Sequence, residues 1–166
     1  NMIKELNTFC GHIYEQGIQD CYTLIRDFYK TRYQMELTNY ARPNNWIQDP
    51  NLDFFSRLFE REGFEDTNNC PHKVRFGDVL MMRIVGSEVV NHVAIYVGRQ
   101  KILHHLQGRV SEIVDYDDKW RFRVVRVVRH PEIQKTTDAV ALHNLHKGLP
   151  IHLRAKLRSA KSEKVE

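Results

Sequence analysis

The hydrophobic pattern changes period near Gly77, and that break constrains the fold more than any other feature of the chain. Before it, Leu24, Ile25 and Phe28 recur at helical spacing behind Asp20-Cys21, with Asp20 placed as an N-cap. Ala41-Arg42-Pro43-Asn44-Asn45 then reads as loop. A second helix is predicted from Asp49-Pro50, cap and first position, with Leu52, Phe55, Leu58 and Phe59 as its stripe and Gly63 as its end. Beyond Gly77 come short β-branched runs at 79–84, 89–97, 101–106, 110–114 and 122–128. Turn residues separate them at Gly77-Asp78, Gly86-Ser87, Gly98, Gly108 and 115–119. Helices first and an antiparallel meander after predict an α+β domain whose helices pack on one sheet.

A chain of 166 residues holds one domain with its own core. That domain is expected over 1–130. Residues 131–166 read as a basic appendage, part helical (139–147, capped by Asp138 and ended at Gly148-Leu149-Pro150) and part extended. Arg154, Lys156, Arg158, Lys161 and Lys164 face only Glu163 and Glu166, so most of the net charge of +4 sits in this tail. The basic balance therefore argues against a nucleic-acid-binding face on the domain itself. No run of about 18 apolar residues is present, so no membrane span is expected. Residues 1–6 carry no apolar segment of signal-peptide length, and delivery to an extracytoplasmic substrate would need another agent. Three cysteines, Cys10, Cys21 and Cys70, exclude a complete set of intrachain disulfides.

Cys21 follows directly on the predicted N-cap. A thiol there meets unpaired backbone N–H groups and the positive end of the helix dipole, which favour a thiolate and could hold an oxyanion. A buried structural cysteine would explain the position equally well, since Cys21 shares a face with Leu24, Ile25 and Phe28. The partner it needs is a base. In Asn91-His92-Val93-Ala94-Ile95-Tyr96-Val97, period-2 alternation puts His92, Ala94 and Tyr96 on one face. Small Ala94 leaves room beside the imidazole. A third group should orient that imidazole. A three-residue hairpin loop of Val97, Gly98 and Arg99 pairs position 92 with His104, whereas a two-residue loop pairs it with His105. Spacing does not choose between them.

Asp20-Cys21 opening a helix, a later His92-Val93-Ala94-Ile95-Tyr96-Val97-Gly98, and a polar His104 on the next strand together resemble the NlpC/P60 family of papain-like cysteine peptidases. The text from Gln19 to Asp27, with Leu103-His104-His105-Leu106 and Arg109-Val110-Ser111, resembles the branch found in tail assembly proteins of lambda-like phages, the K type. The similarity runs from about Ile13 to His130. It implies Cys21 as nucleophile, His92 as general base and His104 as the residue orienting His92. Asp20 beside the nucleophile and an aromatic, Tyr14, near the oxyanion site are implied as supporting groups, with His105 a further supporting or substrate-binding candidate. Tyr22-Thr23 stands where bacterial members carry Ser-Gly, a departure that bears on the shape of the cleft.

The implied activity is hydrolysis of amide bonds in peptidoglycan stem peptides, such as D-glutamyl–diaminopimelate linkages, with no metal or other cofactor. The implied setting is a phage tail tip, or the host cytoplasm during assembly, with tail-tip proteins engaged through 131–166. The alternative is a structural tail-tip module that keeps the fold with weak or latent activity. Zinc ranks below both, because the cysteines lack paired spacing and His104 and His105 point to opposite faces of a strand.

Overall fold

The computed structural model describes residues 1–42, 53–68 and 71–133. The Asp49-Pro50 cap, Leu52, Cys70, Trp46 and the 139–147 helix therefore lie outside the described residues. Asn1–Pro131 forms one compact unit. Its elements are α1 (Met2–Asn7), α2 (Cys21–Tyr33), α3 (Phe54–Arg61), β1 (Glu65–Asp66), β2 (Val79–Met82), β3 (His92–Tyr96), β4 (Lys101–His104), β5 (Glu112–Asp115), α4 (Asp118–Arg121) and β6 (Val124–Arg129). Among the described residues the strands form one antiparallel sheet in the order β1-β6-β2-β3-β4-β5. The expected α+β class and antiparallel sheet are what the chain adopts.

α2 begins where its sequence says it should. Asp20 is extended, and its carboxylate accepts from the Thr23 amide at 2.9 Å. Gln34, left-handed at φ 52°, closes the far end. Cys21, Tyr22, Leu24, Ile25, Phe28 and Tyr29 form the buried face. α3 is capped by Asp53, which accepts from the Ser56 amide. Its end is as expected, with Gly63 at φ +85° and the Phe64 amide bonded to the Phe59 carbonyl. The 115–119 turn is also partly helical, since Asp118 already belongs to α4.

Alternation along the strands divides the core. Leu80, Met82, Ala94, Tyr96, Ile102 and Val127 pack on one face with Tyr116 and Trp120. Met81 and Val128, on the other face, line a cavity with Phe59 and Phe64, and Tyr22 of α2 meets Phe59 edge-on at 5.9 Å. α2 and α3 therefore cover the face opposite Trp120. Phe28, Tyr29, Phe55 and Phe59 are at most 1% exposed, each contributing roughly 2–3 kcal/mol by burial. Truncating Phe59 to alanine would cost about 3–5 kcal/mol. α2 is tied down further by the Tyr29 hydroxyl, which donates to the Gly77 carbonyl at the entry to β2.

Candidate active site

The β3–β4 hairpin decides what His92 meets. Its turn is Gly98, Arg99 and Gln100, all at positive φ, closed by the Val97 amide on the Lys101 carbonyl at 3.0 Å. The loop thus sits one residue later than the three-residue alternative and is one residue longer than the two-residue one. His104 pairs with Ala94, not with His92. The two-residue offset still leaves His92 and His104 on one face, as diagonal neighbours across small Ala94. Their rings meet there, His92 Nε2 lying 3.1 Å from His104 Nδ1. The loop is held from outside: the Tyr96 hydroxyl accepts from the Gln100 amide, and the Gln100 carbonyl accepts from Tyr116.

His104 is wedged edge-on against Trp120, with ring centroids 4.7 Å apart. Its Nε2 is buried and has no hydrogen-bond partner; the Glu112 carboxylate on β5, across the strand pair, comes to 4.0 Å. His105 turns the other way. Its Nε2 donates to the Arg109 carbonyl at 2.9 Å, and its ring meets Tyr14 edge-on at 5.1 Å. Ser111 makes that meeting possible by accepting from the His12 amide and donating to the Phe9 carbonyl, which clamps the chain before Tyr14 to the β4–β5 turn.

Cys21 is 1% exposed and His92 2%. The amides of Val93, the residue after His92, and of Tyr22 are the hydrogen-bonding groups that favour a Cys21 thiolate. They are outweighed. Burial, and then the Asp20 carboxylate, push the thiol well above the ordinary cysteine range, which corrects the expectation of a thiolate near neutral pH. Burial likewise holds His92 well below the usual histidine range and pushes His104 down to about 4. Cys21 therefore rests as a neutral thiol, and His92 and His104 rest as neutral imidazoles.

Tyr14 lies in the electrostatic range of Cys21, Asp20 and Arg42, and its buried hydroxyl has no hydrogen-bond partner. Asp20 is fully buried and accepts from Gly17, Thr23 and Arg42. Arg42 is the residue that sequence reasoning missed, because one arginine in a loop segment carries no local signal. Asn91 was missed too; its side chain bonds the Ile84 amide and carbonyl and fixes the chain one residue before His92. Four buried polar side-chain atoms lack a partner among the described residues, and three of them, on Tyr14, Arg42 and His104, belong to this neighbourhood. No group of three or more His, Cys, Asp or Glu that could hold a metal ion occurs among the described residues.

The NlpC/P60 family profile matches residues 9–137. Tail tip assembly protein K of Escherichia phage lambda is 34% identical over 120 residues, which is 72% of this chain and 58% of the relative. Its namesake in Escherichia phage N15 is 27% identical over 119 residues, 71% of this chain and 47% of the relative. The chain thus spans about half the length of these two relatives. Among solved structures, the NlpC/P60 domain of the peptidoglycan hydrolase SagA superposes with a TM-score of 0.49 at 18% identity, covering 77% of this chain and 95% of that one. An NLP/P60-family protein of Staphylococcus aureus gives 0.49 at 17% identity, covering 77% and 39%.

Proposed function

Because this chain belongs to the NlpC/P60 family, we propose that it is a cysteine endopeptidase of a phage tail tip, hydrolysing amide bonds of peptidoglycan stem peptides. Cys21 is the nucleophile, His92 its general base, and His104 the group that orients His92. The observation that carries this reading is the 3.1 Å contact between His92 Nε2 and His104 Nδ1, together with a cysteine that opens a capped helix and is bonded by the amide of Val93, the residue after His92.

The contact suggests a division of labour between the ring nitrogens. His92 donates Nε2–H to His104 Nδ1, which leaves its own Nδ1 to take the thiol proton. The thiolate attacks the carbonyl carbon, and the oxyanion is met by backbone amides at the start of α2 and by the Tyr14 hydroxyl. The amine leaves with the proton from His92, giving a thioester. Water, deprotonated by His92, then releases the acid and restores the thiol. Since the resting site is neutral, an ion pair forms only as the reaction proceeds, and His104 earns its place by stabilising the imidazolium at that moment.

A second reading is favoured by burial. A nucleophile and base that are 1% and 2% exposed admit no substrate until the site opens. That suits a tail-tip assembly module with weak or latent activity, engaging neighbouring tail-tip proteins through 131–166. Incubating wild type and Cys21→Ala with purified Gram-negative peptidoglycan, followed by mass spectrometry of released fragments, separates the two. New stem-peptide fragments from wild type alone support the endopeptidase. Their absence, with both proteins folded, supports the assembly module.

A further inference from the structure

The Arg42 guanidinium is 1% exposed, as buried as the Asp20 carboxylate it faces. Its Nη2 donates to Asp20 Oδ1 at 3.0 Å and to Thr23 Oγ1 at 2.8 Å. Nη1 donates to Asn39 Oδ1 at 2.9 Å and to the Tyr40 carbonyl at 2.6 Å. The guanidinium carbon stacks 4.8 Å over the Tyr22 ring. Arg42 thus grips the residues on both sides of Cys21, together with the loop that follows α2. A buried pair of this kind is costly to assemble and adds little net stability, while losing one partner leaves a bare charge in a low-dielectric site.

Accepting Cys21 as the reactive thiol, we infer that Arg42 is a positioning residue of the site, whose guanidinium compensates the Asp20 carboxylate beside the thiol so that a second negative charge can form there. Asp20 alone caps α2 well, but its charge opposes a thiolate on the next residue. Arg42 cancels that opposition and keeps the capping geometry. The other titratable groups in electrostatic range are Tyr14, which faces Cys21, and His105, which faces Asp20; His92 precedes the Val93 amide. None of these supplies a permanent positive charge, so the compensation falls to Arg42.

The test is the rate at which iodoacetamide alkylates Cys21 in the full chain at pH 8, read peptide by peptide so that Cys10 and Cys70 do not interfere. There the rate tracks the small thiolate fraction. Arg42→Gln, which bares the carboxylate, is expected to slow alkylation about tenfold, and Asp20→Asn, which bares the guanidinium, to speed it about tenfold. The double variant Asp20→Asn/Arg42→Gln and the charge-conserving Arg42→Lys should both return to within about threefold of wild type. A purely structural role would loosen the site and move the single variants in the same direction, which overturns the inference. If Arg42→Gln does not fold, Asp20→Asn and the double variant decide: faster alkylation in the first, restored by the second, supports it, and any other order sinks it. Opposite shifts without hydrolysis by wild type would leave the charge pair standing and remove the endopeptidase reading instead.

Discussion

His92 and His104 meet across a diagonal of the β3–β4 pair, Nε2 to Nδ1 at 3.1 Å, with Ala94 directly opposite His104. The adjacent His105 shares none of this, because one step along a strand reverses the face. That difference makes neighbouring histidines separable by experiment.

His104→Ala should therefore lower kcat/KM on a stem-peptide substrate by about 10²-fold or more, while His105→Ala costs a few-fold. His105 supports the Tyr14 ring and the Arg109 carbonyl and does not touch His92 through a hydrogen bond. Steady-state kinetics on both variants, each checked for a native circular dichroism spectrum, makes the comparison. Equal losses with normal folding would remove His104 from its proposed role.

Cys21→Ala should abolish hydrolysis and still fold. The deleted sulfur leaves a small void at the start of α2, costing about 1 kcal/mol, whereas the cap and the buried face of the helix are untouched. Thermal denaturation should show a native-like cooperative transition a few degrees below wild type. Residual hydrolysis in this variant would mean that another group is the nucleophile.

Stability should fall as the solution is acidified from pH 7 to 4. His92 and His104 are buried as neutral rings, so their folded values lie below the unfolded 6.5, and the unfolded chain takes up protons first. The stabilisation is complete above about 6.5 and is lost as pH falls toward about 4, the value for His104. His104 alone accounts for a loss of about 3 kcal/mol over that window. Urea denaturation at pH 7 and 4.5 reads it, and His104→Asn should flatten the dependence.

The same depressed values set the pH profile of the reaction. His92 must be unprotonated to accept the thiol proton, so the acid limb of kcat/KM should lie below pH 6.5 and leave activity level through neutrality. An acid limb at or above 6.5 would show that the base is solvated in the working enzyme.

Asp78→Ala tests the fold away from the site. The Asp78 carboxylate is fully buried, accepts from Arg129 Nε at 2.6 Å and Nη2 at 2.8 Å, and also takes the Arg75 amide at 2.9 Å. Removing it strands a cation between β2 and β6, a loss of about 3–5 kcal/mol. A denaturation midpoint unchanged from wild type would contradict this.

The sequence by itself determined what depends on near neighbours. Asp20 capping α2, Gly63 ending α3, the change of period after Gly77 and the alternation placing His92, Ala94 and Tyr96 on one face are all set within a few residues of chain. Such signals are local because caps, turns and side-chain direction follow from backbone geometry. Tertiary structure decided the rest. The β3–β4 register turned on which three residues took positive φ, and that choice made His104 the partner of His92. Burial, which no spacing reveals, reversed the expected ionisation of Cys21. Arg42 entered the site from a separate loop to meet a carboxylate 22 residues away in sequence. A charge acts through space and desolvation, and both are fixed only once the chain has closed around them.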